Sequence, residues 1–104
     1  MNTDKIENAK IKSTQIGYAD LRIITMVVVF MTEHDERRGF GGHKLSGTVG
    51  AEFMLNFIRG MLTSVGVGFW EELIGKEVRL RVHNDNVVAV GHVREDIWFE
   101  LNTY

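Results

Sequence analysis

Length, composition and charge already narrow the classes of protein to which this chain can belong. It has 104 residues, of which 44% are hydrophobic, and its 12 basic and 14 acidic residues give a formal net charge of −2. The apolar content excludes a disordered chain, and the length predicts a single domain over residues 1–104 that is frayed at residues 1–8. The absence of Cys excludes disulfides, thiolate metal sites and Cys nucleophiles. Near-neutral charge argues against a protein whose main task is to grip nucleic acid with a basic surface.

No segment of the sequence has the pattern of a targeting or membrane-spanning element. Residues 1–12 mix acidic and basic side chains without an apolar core, unlike a signal peptide. The longest apolar run, residues 23–31, is far shorter than the about 20 residues that a spanning helix needs. Its β-branched and aromatic residues favour a strand instead. We therefore expect a cytoplasmic protein with no membrane partner.

The first two strands are predicted over residues 10–18 and 21–32. The connection between them is so short that they should form an antiparallel hairpin. The second strand does not alternate, because apolar residues occupy both of its faces, and both faces must then be covered. One cover is a helix, and the other is either the terminal segments or a second subunit. Because both faces of this strand are apolar, we predict a homodimer; the alternative is that the strand lies at the centre of the sheet of a monomer.

The middle of the chain predicts a short strand followed by the main helix. The strand covers residues 40–45, with glycine at its start that sets a bulge or admits another backbone. The helix covers residues 48–65, where apolar residues recur with the period of one helical face. Gly66 would end it in the left-handed conformation, and Gly60 would allow close packing on the sheet. The apolar positions are Met54, Phe57, Ile58, Met61, Leu62 and Val65.

The second half of the chain predicts one helical turn and a further hairpin. Residues 69–74 form the helical turn, and residues 77–83 and 87–93 form two strands joined where Asn and Asp tolerate positive φ. In the first of these strands, alternation places apolar side chains and arginines on opposite faces. The predicted fold is α+β: a mostly antiparallel sheet of about five strands, in the order β-β-β-α-β-β, with one main helix packed on one face.

Titratable residues are present, but none of them completes a catalytic motif. The histidines lack the spacing of metal ligands, and the carboxylate pairs at residues 71–72 and 95–96 are typical of solvated faces. We therefore expect no catalytic residue, no bound metal, no cofactor and no enzyme activity. A small enzyme or ligand-sequestering protein, built on the glycine-rich loop and the histidines, is an alternative from another class. The four histidines are His34, His43, His83 and His92.

The segment around residues 37–43 predicts a site that binds a partner protein. Phe40 lies among glycines, and we interpret it as an exposed aromatic anchor. The glycines would permit close approach of the partner, and the two arginines would provide polar pairing. A phosphate-cradling loop is the weaker interpretation, because no G-x-G-x-x-G or Walker pattern is present. The predicted partner-binding residues are Arg37, Arg38, Phe40, Gly41, Gly42 and His43.

A second candidate surface would bind nucleic acid. Arg79 and Arg81 project from one face of a predicted strand, and Arg94 would extend them into a basic stripe. Trp98 is the one nearby aromatic residue on which a base would stack. Acidic residues in the same region favour the alternative of a mixed, solvated face with cross-strand ion pairs.

One ordered set of short segments spans nearly the whole chain: residues 11–14, 16–17, 39–43, 57–59, 65–67, 70–73, 75–76, 91–93, 96 and 98–99. Taken together, these segments resemble a group of small proteins encoded by bacteriophages and prophages. The relatives typically read I-K-S-T, G-F-G-G-Y, F-I-R-x-I-L, W-E-x-L-x-G-K, G-H-I and a final W-F, and this chain has His43 where they show Tyr. Small phage accessory proteins often bind a host macromolecule. The resemblance therefore implies a non-enzymatic accessory protein whose partner is a host protein or protein complex, with an antiviral CRISPR nuclease complex as a concrete target.

Overall fold

A computed structural model describes residues 4–101 and builds one long helix and a six-stranded sheet from them. The α+β architecture predicted from the sequence, with one helix on the sheet, is confirmed. The sheet has six strands rather than about five, because the chain end adds a short strand. The elements are β1 (Lys5–Asp20), β2 (Ile23–Thr32), β3 (Arg37–Gly41), α1 (Gly47–Val65), a 3₁₀ turn (Trp70–Glu72), β4 (Glu77–His83), β5 (Asn86–Gly91) and β6 (Trp98–Glu100).

The long first strand holds the sheet together. Neighbouring strands are antiparallel, in the order β3-β2-β1-β4-β5-β6. The start of β1 pairs with β4, and its stretch from Ala9 onward pairs with β2. The prediction of fraying is wrong for residues 5–8, since these residues pair with residues 79–82 of β4. Residues 1–3, which that prediction also covered, lie outside the described residues.

Alternate residues of β2 point toward the core and toward the outer side of the sheet. The core-facing residues Met26, Val28 and Phe30 are buried. The outer residues are also apolar but remain partly exposed, so the described part of the chain covers this side incompletely. The second subunit inferred from the two-sided strand therefore stays a prediction. The outer residues form what we call the outer strip: Val27, Val29 and Met31.

Helix α1 covers the core-facing side of the sheet. Phe57 and Met61 are fully buried, and the other apolar positions of the predicted stripe pack against the same core cluster. Gly66 follows the helix with a φ of 86°, and its N–H donates to the carbonyl of Leu62 at 2.9 Å. The predicted left-handed end of the helix is thus confirmed. No helix within residues 4–101 combines the length and the apolar character needed to cross a membrane.

Gly60 lets the helix approach the last strand closely. A Cβ at this position would collide with the ring of Phe99 in β6. That ring lies 5.7 Å from Phe40 and 5.9 Å from Phe57, measured between centroids, so strands β3 and β6 meet α1 through three aromatic rings. The close packing expected at Gly60 is confirmed.

Strand β3 occupies residues 37–41 and not the predicted residues 40–45. Gly41 and Gly42 have φ values of 99° and 83°, which turn the chain out of the sheet. A Cβ on Gly41 would also lie 2.7 Å from the carbonyl oxygen of Met26. The chain then returns to β2 at Leu45 through an isolated bridge to Ile24.

Candidate partner-binding site

A row of outward side chains crosses the sheet from β3 to β4. Arg37 pairs with Met31, and Met31 also pairs with Lys10 of β1. Lys10 in turn pairs with Glu77 of β4. Directly opposite residues of antiparallel strands share a face, and the residues on either side of Lys10 are buried in the core, so the row points outward. Arg37 is thus one predicted partner-binding residue that the structure leaves exposed beside apolar surface.

This row leads into a groove with a volume of about 580 Å³, which we call the outer groove. Val93, which follows β5 and is 37% exposed, also lines this groove. The loop between β2 and β3 adds Glu33 and Asp35 at the rim. The lining residues are Asn8, Ala9, Lys10, Met31, Thr32, Glu33, Asp35, Glu77, Val78 and Val93.

The β2–β3 turn is held tightly, which fixes the backbone that carries Glu33 and Asp35 beside the groove. The hydroxyl of Thr32 accepts the N–H of His34 at 3.3 Å and of Glu36 at 3.1 Å. Asp35 adopts a φ of 60° that short acidic side chains tolerate. The N–H of Glu33 donates to the carbonyl of Asn8 at 3.2 Å, which anchors the loop to β1.

The chemistry of the outer groove combines apolar surface with unbalanced charge. Its lining residues include three acidic ones, Glu33, Asp35 and Glu77, and one basic one, Lys10. Within residues 4–101, neither Lys10 nor Glu77 has an ion-pair partner within 4.0 Å. Met31 and Val93 provide the apolar part. Such a groove is suited to a positively charged side chain that is carried beside an apolar one.

Arg38, which was predicted to pair with a partner, is engaged within the fold. Its side chain is 9% exposed, and its Nε and Nη2 donate to the two carboxylate oxygens of Glu7 at 3.2 and 3.1 Å. Carboxylates of Glu36 and Asp85 lie 3.8 Å away. The hydrogen bonds to Glu7 and these neighbouring carboxylates raise the pKa of Arg38 above its ordinary value, although burial opposes them. Arg38 therefore ties β3 to β1 and to the β4–β5 turn.

The rest of the predicted partner-binding segment is also built into the fold. Phe40 is only 2% exposed, so its interpretation as an exposed anchor is wrong: its ring fills the space between α1 and β6. Gly41 reverses the chain against the ring of α1 residue Phe57. The N–H of Gly42 donates to a carbonyl of β2 at 2.7 Å. The ring of His43 lies 4.8 Å from that of Phe53 on α1.

Three of the four residues of the predicted nucleic-acid surface meet on the outer side of β4, β5 and β6. The guanidinium carbons of Arg79 and Arg81 lie 5.0 and 4.7 Å from the centroid of the Trp98 ring. Gly91 makes this possible, because a Cβ there would lie 2.6 Å from the ring. We call these three side chains the arginine–tryptophan cluster. Arg94 lies beyond them in an exposed loop.

Both guanidinium groups of the cluster already have partners. Arg79 donates to the carbonyls of His92 and Glu95 at 2.8 and 2.9 Å. Arg81 donates to the carboxylate of Glu100 at 2.7 Å. The cluster therefore fastens the loop before β6, and β6 itself, to the face of β4.

The histidines are dispersed and serve local contacts. His83 Nδ1 lies 2.7 Å from a carboxylate oxygen of Asp4. His92 Nδ1 accepts the backbone N–H groups of Arg94 and Glu95, both at 3.1 Å. Over residues 4–101, no three His, Asp or Glu side chains gather in a way that would hold a metal ion.

Sequence reasoning did not find Lys10, Met31, Glu77 and Val93 as one site. The alternation within β2 shows that Met31 is apolar, but not which residues lie beside it. The neighbours depend on strand register, and the register of β1 against β2 shifts at an irregularity between Ile11 and Ser13. No local pattern predicts that shift, so the row could not be assembled from the sequence.

Comparison with known proteins does not assign this chain to a family. No protein-family model matches the chain, and no curated protein is significantly similar to it. The case for a function therefore rests on the outer groove, the outer strip and the arginine–tryptophan cluster.

Proposed function

We propose that this chain is a non-enzymatic phage or prophage accessory protein that binds a host protein through its outer groove and outer strip. The observation that carries the proposal is the continuity of the two. Met31 belongs to both, so partly exposed apolar surface runs along β2 directly into a groove whose lining combines apolar residues with three acidic ones. Contiguous apolar surface with a polar rim is typical of protein–protein binding sites.

The outer strip is accessible because its neighbours are small. Val27 pairs with Gly41 on one side and with Gln15 on the other, and Val29 pairs with Gly39 and Ser13. Three of these four neighbours are glycine or serine, and Gln15 is the one longer side chain beside the valines. A flat or extended segment of a partner would therefore reach the strip from the β3 side, where both neighbours are glycines.

The charged residues of the outer groove, together with Arg37, indicate which side chains the partner would carry. Three carboxylates against one ammonium in the outer groove favour a basic side chain, next to an apolar one that contacts Met31. Arg37, at the other end of the row, would donate hydrogen bonds to a carboxylate of the partner. The host context, a component of antiviral defence such as a CRISPR nuclease complex, and a cytoplasmic location rest on the resemblance to phage proteins.

Matched valine substitutions test the proposal. Val29→Lys places a charge in the middle of the outer strip, whereas Val49→Lys places the same charge on an exposed position of α1. Both variants and the wild type are first shown to be folded by thermal melting. They are then immobilised and exposed to lysate of the bacterial host.

We expect the wild type and Val49→Lys to retain the same host protein and Val29→Lys to lose it. The proposal fails if Val29→Lys retains that protein as well as the wild type does. It also fails if the wild type retains no host protein.

Nucleic-acid binding is the second candidate, and the convergence of Arg79, Arg81 and Trp98 favours it. A base could stack on the guanidinium planes or on the ring. Titrations of labelled single- and double-stranded DNA and RNA at low and high salt decide the matter. Binding that weakens with salt and with Arg81→Gln, but not with Arg22→Gln at the exposed hairpin turn, would support it. Absence of salt-dependent binding would exclude it.

A further inference from the structure

The second half of β1 has an edge that pairs with no strand of the described chain. On one side, β1 pairs with β2 over residues 9–20. On the other side it pairs with β4 over residues 5–10 only, and Ile11 then exchanges hydrogen bonds with residues 75–76. Within residues 4–101, no strand continues along this side of residues 12–20. Peptide groups on such an edge are available to another strand.

The register of β1 shifts between Ile11 and Ser13 and again between Tyr18 and Asp20, but the stretch between these irregularities lacks charged residues and proline, two features by which natural sheets prevent pairing. Charged residues and proline normally protect an exposed edge, but the seven successive residues 13–19 carry no charge and no proline. Ile16 is 50% exposed and Tyr18 is 80% exposed. Both lie on the same face as Thr14, because alternate residues of a strand share a face.

We propose that two copies of this chain pair along this edge, antiparallel, about a two-fold axis at Ile16. In that register, Ile16 lies opposite Ile16 of the partner subunit, and Thr14 lies opposite Tyr18 of the partner subunit. Lys12 lies opposite Asp20 of the partner subunit. The charges that bound the uncharged stretch therefore form two ion pairs, one at each end of the interface.

The edge is complementary to itself, which is what a two-fold interface requires. A single sequence carries a positive residue at one end, a negative residue at the other and an uncharged, partly apolar stretch between them. The indole of Trp70 donates to the hydroxyl of Thr14 at 3.2 Å, so Tyr18 of the partner subunit would meet an aromatic ring there. The dimer joins two six-stranded sheets into one and leaves the outer groove open. It does not depend on the proposed host partner.

Charge reversal across the axis tests the register directly. Sedimentation equilibrium is measured for the wild type, for Lys12→Glu and for Asp20→Lys, and then for the two variants mixed. Lys5→Glu serves as the matched control for Lys12→Glu, because it makes the same change of net charge on the part of β1 that pairs with β4. Circular dichroism establishes that each variant is folded.

We expect the wild type and Lys5→Glu to approach twice the chain mass of 11.9 kDa as concentration rises. Each edge variant should associate about tenfold or more weakly, because like charges then face each other at both ends. The mixture should recover association, because opposite charges then face each other at both ends of the mixed dimer.

Three results would overturn the proposal. One is a wild type that stays at the mass of one chain at every concentration. Another is edge variants that associate as strongly as the wild type. A third is association that Val29→Lys abolishes while the edge variants keep it, which would place the second copy on the outer strip.

Discussion

The ion pair between Arg38 and Glu7 provides the sharpest test of how this fold is held together. Glu7→Gln keeps the size and shape of the side chain but removes its charge. The pair joins β3 to β1, and the two side chains are only 9% and 11% exposed. Two charge-assisted hydrogen bonds, at 3.2 and 3.1 Å, connect them. The substitution therefore leaves a poorly solvated guanidinium without its closest countercharge.

The expected cost follows from these contacts. Hydrogen bonds to charged groups contribute about 1.5–3 kcal/mol, and breaking a buried ion pair costs about 3–5 kcal/mol. Glu36 and Asp85 remain 3.8 Å from Arg38 and partly compensate its positive charge, which reduces the destabilisation. We therefore expect Glu7→Gln to lower the free energy of unfolding by about 2 kcal/mol, which corresponds to a fall in Tm of about 10 °C.

Urea unfolding measures this change without adding salt that would screen the charges. Glu36→Gln is the matched control, because it makes the same substitution beside the same arginine but at an exposed carboxylate. Exposed pairs contribute about 0–1 kcal/mol, so the control should lose much less stability. Equal losses for the two variants, or no loss for Glu7→Gln, would refute the structural role assigned to this pair.

Further substitutions probe the packing of the core and the fastening of β6. Phe40→Ala should destabilise the fold by about 3–5 kcal/mol in urea unfolding, because it empties a buried aromatic site; a loss below about 0.5 kcal/mol would indicate an exposed ring. Gly60→Ala should cost about 1–3 kcal/mol through overlap with Phe99, although alanine itself favours a helix by about 1 kcal/mol; a stabilised variant would contradict the close packing. Gly91→Ala should lift Trp98 from the sheet and shift tryptophan fluorescence toward that of a solvated indole; an unchanged spectrum would refute the contact.

The elements that the sequence predicted well are those with a strong local pattern. The helical stripe ending at Gly66 and the alternation of β4 depend on neighbouring residues only, and both are present in the structure. The turn before β5 also follows local chemistry, since Asn84 and Asp85 adopt φ values of 51° and 64°. Local propensity and tertiary packing agree at these positions.

The candidate site was harder to predict from the sequence, because the solvent exposure of a side chain depends on residues that are distant in the sequence. Glycines around Phe40 suggested a loop with an exposed ring, but that ring is buried between α1 and β6. Arg38 looked like a surface charge, yet its countercharge lies far away in the sequence, at Glu7. Both errors have the same physical cause: the residues that cover this segment are distant in sequence, on α1 and β6 for Phe40 and on β1 for Arg38, and the local pattern around residues 37–43 does not reveal them.

Site-specific photo-crosslinking tests the central claim, that the outer groove binds a host protein, most directly. The photo-reactive residue p-benzoylphenylalanine is placed at Met31 in the groove, or at Val49 on α1, and the protein is irradiated in host cells. We predict one dominant adduct from position 31, cross-linked to a host segment that carries basic and apolar side chains, and no such adduct from position 49. Equal adducts from both positions, or none from position 31, would contradict the account.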